Sequence, residues 1–140
     1  VIDSEPVEFA SPLSYEVTVK AVCRWTDDHY EVAAIRVEGG DLTAAGMRAV
    51  RWAEVFRGGL APLRPLVFAH FLDGRDERDL TEAELLAVVY ATACALHADP
   101  VVEIAAQFGI SRSTANKKVI AARRSGYLPK TTQGARRAWT

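Results

Sequence analysis

Residues 100–128 read PVVEIAAQFGISRSTANKKVIAARRSGYL. The stretch predicts two short helices joined by a tight turn, with base-reading chemistry on the second. Ile104, Ala105, Phe108, Ile110, Ala115 and Val119 supply the apolar positions, and Gly109 stands at the corner. Two helices cross closely only where facing side chains are small and the corner accepts an unusual backbone conformation. Ala105 and Ala115 meet the first condition and Gly109 the second. The outward face of the second helix then carries Arg112, Ser113, Asn116 and Lys117. Arg and Lys donate to guanine edges and Asn pairs with adenine in the major groove, so these four are the expected base readers.

The pattern resembles the helix-turn-helix of bacterial and phage DNA-binding proteins. The run FGISRSTANKKVIAARRSGYLP is similar to a group of small regulators in actinobacteria and their phages. The SRSTA start and the basic, Gly-terminated end carry that likeness, which extends over about residues 80–128. It implies double-stranded DNA as the partner and transcriptional regulation as the role. In such proteins the position of Lys118 is often bulky and apolar. A lysine there predicts either looser packing or a stem that covers the core with an ammonium that reaches solvent. Residues 1–79 carry no such likeness.

Working outward, the local signals bound a three-helix unit. Thr81 followed by Glu84 matches a capping box, in which hydroxyl and carboxylate satisfy free backbone amides. Leu85, Val88, Val89, Thr92, Ala93 and Leu96 then form a packing stripe to about His97. Asp99 caps the next helix and Pro100 occupies its first position. Ser111 caps the recognition helix, Gly126 ends it and Pro129 prevents its resumption. Tyr127 and Leu128 are placed to fold back on the unit.

The net charge of −1 conceals a split. Residues 1–99 hold 9 Lys and Arg against 17 Asp and Glu, whereas residues 100–140 hold 8 against the single acid Glu103. DNA binding needs a positive face rather than a positive total, because counterions are released locally. The acidic segment is expected to face away from the duplex or toward a protein partner. Ser111, Thr114, Lys118, Arg123 and Arg124 are the expected phosphate contacts. Lys130, Arg136 and Arg137 are expected to extend them from a basic tail over residues 129–140.

The N-terminal 79 residues read differently. Residues 1–13, with Pro6 and Pro12, predict an irregular arm. Tyr15 to Trp25 alternates, with Tyr15, Val17, Val19, Ala21, Cys23 and Trp25 on one side, which predicts a half-buried strand. A polar turn at Thr26–His29 leads to a second strand over Tyr30–Val37. Thr43 to Phe56 predicts one helix, stopped by Gly58-Gly59. Leu60–Leu72 predicts a packed loop with room for a short helical stretch, and the charged run Asp73–Asp79 a linker and domain boundary. The expected class is α+β, with a β-hairpin-plus-helix module before the helix-turn-helix domain. That module is expected to serve dimerisation or partner binding, the dimer setting two recognition helices one DNA turn apart.

Catalytic patterns are sparse. His29, His70 and His97 are isolated, with His29 expected in turn surface and His97 as a helix-end residue favoured by the dipole. No metal-ligand spacing or phosphate-binding glycine loop appears, so no enzyme and no cofactor is expected. Cys23 and Cys94 are expected to be reduced and structural. Trp25, Tyr30, Trp52 and Phe56 can line a ligand pocket, though such spacings are commonly core. No run is apolar enough to span a bilayer, and no basic-then-apolar leader appears. The expected place is therefore the cytoplasm, on the nucleoid. Two alternative readings share the motif. One is a packaging, partition or excision factor that binds DNA and recruits an enzyme. The other is an anti-repressor or antitoxin whose motif contacts protein.

Overall fold

The computed structural model describes residues 2, 5–14, 17–39 and 43–129. Among the described residues a three-stranded antiparallel sheet precedes six α-helices, giving an α+β architecture. Strand β2 (Val17–Thr26) lies between β1 (Val7–Ser14) and β3 (His29–Glu38). Its alternation sorts the side chains as expected: Val19, Ala21 and Cys23 are buried while Lys20 and Arg24 are exposed. The β2–β3 hairpin forms around residues 27–28, with a bulge that leaves Ala33 between the partners of Val22 and Cys23.

The expected irregular arm is instead β1. Its one proline, Pro12, is tolerable because β1 is an edge strand, and the register shifts between Pro12 and Ser14. Tyr15 lies outside the described residues.

The predicted helix over Thr43–Phe56 is two helices, α1 (Ala44–Arg48) and α2 (Trp52–Leu60). Gly58 and Gly59 lie inside α2 rather than stopping it. Gly59 has a packing role: a Cβ added there would sit 2.1 Å from Phe9 Cδ2, so β1 closes directly onto the backbone of α2. The expected packed loop is a 3-10 turn (Ala61–Leu63) followed by α3 (Arg64–Leu72). Pro62 and Pro65 each stand in a first turn, where a missing N–H costs nothing.

The charged run after α3 is an ordered turn. Asp73 takes a left-handed conformation (φ 53°). Asp76 caps a short 3-10 turn, and Arg75 donates to the carbonyls of Leu72 and Phe71 and to Glu84.

Helices α4 (Glu82–Ala95), α5 (Pro100–Phe108) and α6 (Arg112–Arg124) follow. Their caps match the sequence signals. Thr81 and Glu84 form a reciprocal box, Asp99 accepts from the Val101 and Val102 amides, and Ser111 accepts from the Thr114 amide. Hydrogen bonds from Thr81 hold the Glu84 carboxyl below its usual range.

Three helix ends close alike, with the next amide reaching back five residues. Ala98 bonds Ala93, Ile110 bonds Ala105 and Tyr127 bonds Ala122. The intervening left-handed residues are His97 (φ 60°), Gly109 (φ 62°) and Gly126 (φ 84°). His97 lacks glycine's freedom, and its Nε2 bonds the Tyr30 carbonyl at 2.6 Å. It is therefore a half-buried clasp between α4 and the sheet, not a cation at a helix end. Burial pushes its pKa down.

Helix α4 serves two cores. Ala95 and Leu96 join Ala21, Cys23, Tyr30, Phe56, Leu60 and Val67 beneath the sheet. Leu86 and Val89 join Ile104, Ala115, Val119, Ala122 and Leu128 among the last three helices. The packing therefore runs continuously from the sheet through α4 to α6.

Of the aromatics weighed as a pocket, Tyr30 and Phe56 are buried in the first core, with Trp25 and Trp52 against it. Both cysteines are free, and burial pushes each thiol up to about 11. Among the described residues no helix is long and apolar enough to cross a membrane.

Candidate nucleic-acid interface

The surface of interest is built on α6. Ala115 is fully buried, and Val119 and Ala122 nearly so. These three fix which side of the helix meets α4 and α5. At 100° per residue, Ser113, Lys117, Ile120 and Arg124 fall on the opposite side, at three- and four-residue steps, and Asn116 falls on its flank, about a quarter-turn from the buried face. All five are exposed. Gly109 sets the angle between α5 and α6 by its backbone alone, since nothing lies within 4 Å of a Cβ built there.

The four uncharged polar residues from Ser111 to Asn116 divide in two. Ser111 and Thr114 are bonded to each other, Ser111 Oγ donating to Thr114 Oγ1 at 2.9 Å. Ser113 and Asn116 make no side-chain hydrogen bond with the described residues, and neither does Lys117. An unpartnered Asn amide and Lys ammonium on one exposed stripe can donate to acceptors on a base edge, and Asn can also accept.

The cations of this helix are not equivalent. Arg112 is 72% exposed and donates from Nη2 to Asp99 Oδ2 at 3.3 Å. Lys118 is half-buried, and its ammonium pairs with Glu82 at the start of α4. The ammonium does not end free in solvent, because a carboxylate takes it up. Arg123 donates from Nε to the Pro129 carbonyl at 3.2 Å and from Nη2 to Tyr90 Oη at 3.2 Å. Its guanidinium also lies 6.0 Å from the centre of the Tyr90 ring. Arg123 thereby fastens the segment after α6, whose Leu128 is buried while Tyr127 stays exposed. Lys117 and Arg124 are the exposed cations of α6 with no ion pair among the described residues.

The structure therefore brings together Ser113, Asn116, Lys117 and Arg124, with Arg112 on their flank. It gives Lys118 and Arg123 structural partners. Lys130, Arg136 and Arg137 lie outside the described residues. Ile120, in the middle of the stripe and 40% exposed, was not among the expected site residues. Its spacing from Asn116 and Lys117 is the signal that identifies it. Among the described residues no three of His, Cys, Asp and Glu gather closely enough to hold a metal. In comparisons with known proteins, no family model matches the chain, and neither a curated protein nor a solved structure does.

Proposed function

We propose that this chain is a sequence-specific double-stranded DNA-binding protein without enzymatic activity, acting as a transcriptional regulator. Helix α6 lies in the major groove. Arg112, Ser113, Asn116 and Lys117 read base edges, and Arg124 holds a phosphate. Ile120 packs against groove apolar surface such as a thymine methyl.

One observation carries the reading: the unpartnered donors of Ser113 and Lys117, with Asn116 beside them, lie on the side of α6 turned away from the buried Ala115–Val119–Ala122 face. The helix carries five cations and no acid, and its N-terminal amides add a positive end. A dimer would set two copies of α6 about 34 Å apart. Selection from a randomised duplex library at near-physiological salt tests the reading. A recurrent motif, palindromic for a dimer, is expected. Equal binding to selected and scrambled duplexes would overturn base reading.

A second reading rests on Ile120 and on Tyr127, which is 47% exposed just after α6. Two exposed apolar side chains suit a protein partner. Absence of DNA binding even at low salt would favour a docking helix over a DNA reader.

A further inference from the structure

We infer that Asp99 is a positioning residue for Arg112, so that the pair, rather than Arg112 alone, selects a guanine. The inference rests on the DNA-binding reading above and deepens it. Asp99 divides its two carboxylate oxygens between two tasks. Oδ1 accepts from the Val101 amide at 3.0 Å and the Val102 amide at 3.4 Å, which fixes the carboxylate on the first turn of α5. Oδ2 is then left to accept from Arg112 Nη2 at 3.3 Å.

Arg112 is the first residue of α6 and largely exposed, a place where a long side chain samples many rotamers. The bond to a rigid carboxylate restricts that sampling. A guanidinium has five N–H donors, and one given to Asp99 leaves a parallel pair for guanine O6 and N7. Glu103, four residues beyond Asp99, is paired with Arg64 instead.

The charge of Asp99 and its aim act with opposite signs, which makes the role separable. A carboxylate beside DNA repels every duplex alike. A carboxylate that orients Arg112 favours only duplexes with guanine at one position. Asp99→Asn keeps the capping oxygen, since Asn caps as well as Asp, but removes the charge and puts an amide toward Arg112.

The experiment measures Kd for the unaltered protein, Asp99→Asn, Arg112→Ala and the double variant. Each is tested on the selected duplex, its single-base variants and scrambled DNA, with melting temperatures as the folding control. Asp99→Asn is expected to lose about tenfold of the preference for one guanine, toward the low end of one bidentate contact. It should at the same time bind scrambled DNA slightly more tightly. In the Arg112→Ala background it should change no preference. An equal shift on all duplexes, or full preference in Arg112→Ala, would overturn the inference while leaving the DNA reading intact. No preference in the unaltered protein would overturn both.

Discussion

Adjacent glycines in α2 should respond to alanine with opposite signs. In a helix interior, Gly→Ala is worth about 0.5–1 kcal/mol through lost unfolded-state freedom. Gly58 is exposed with nothing within 4 Å of a built Cβ, so Gly58→Ala should gain most of that. Gly59→Ala gains the same term but sets its Cβ 2.1 Å from Phe9 Cδ2 and 2.2 Å from Cε2. Carbon contacts are comfortable at about 3.5–4 Å, so the Phe9 ring must retreat by more than an ångström. That ring also meets Phe56 edge-on, with centroids 6.3 Å apart, which limits its escape. Overpacking of this kind costs about 1–3 kcal/mol. The two variants should therefore differ by about 1–3 kcal/mol, with Gly59→Ala the less stable. In a chain of this size that is a melting-point gap of several degrees, at about 3–5 °C per kcal/mol. Urea and thermal unfolding measure it, and Phe9→Leu should relieve part of the cost in the Gly59→Ala background. If Gly59→Ala stabilises as Gly58→Ala does, β1 is not seated on α2, and the sheet-to-helix packing described above is wrong.

Asn116→Ala should relax preference at one base position by about 1–3 kcal/mol without lowering the melting temperature, read by competition among single-base duplex variants. Arg124→Ala should weaken all duplexes alike and reduce the slope of log K against log salt by about 0.9. Arg123→Ala should lower the melting temperature instead, because it releases Tyr90 and Pro129, and a pure salt-slope effect would contradict that assignment. Stability should fall as pH drops below about 6.5, because the unfolded chain protonates His97 more readily than the folded chain, in which burial lowers its pKa. Asn, which tolerates the left-handed conformation, should flatten that dependence in His97→Asn, and unchanged unfolding curves across this range would exclude the clasp as the titrating group.

The second half of the fold could be read from the sequence because its signals are local. Thr81 with Glu84, Asp99 with Pro100, Ser111 and Gly126 each act within four residues, and each stands where expected. The first half depends on distant contacts. Pro12 argues against a strand unless the strand is known to be an edge, and the edge is set by pairing with residues near Thr18. Gly58-Gly59 looks like a helix stop unless Phe9, fifty residues earlier, is known to need the space. Pro62 and Pro65 read as loop because nothing local says that they open helices. The candidate site divides the same way. Its stripe follows from helical spacing, but the partners that decide each cation's role do not. Asp99 lies 13 residues from Arg112 and Glu82 lies 36 from Lys118.

That division of the cations bears on how the proposed interface would work. Of the five on α6, Arg112, Lys118 and Arg123 hold intramolecular partners, and Lys117 and Arg124 hold none among the described residues. Two of the partners are carboxylates, so at a distance the helix presents a weaker field than its composition suggests. If Arg124 neutralises one phosphate while Lys117 reads a base edge, the described helix contributes about 0.9 to the salt slope per copy, where five phosphate contacts would contribute about 4.5. Non-specific affinity from this helix is then modest, and the share of binding carried by Asn116, Lys117 and the aimed Arg112 rises. Affinity for arbitrary DNA must come from elsewhere, and the basic residues beyond Pro129 are the remaining source in the second half of the chain. Under the proposed reading, discrimination among sequences would then rest on the few side chains aimed at the bases, with Arg112 held by Asp99 before DNA arrives. Lys118 is committed in another way: its charge pairs with Glu82 and ties the start of α4 to α6, which leaves it unavailable to a phosphate unless that pair opens.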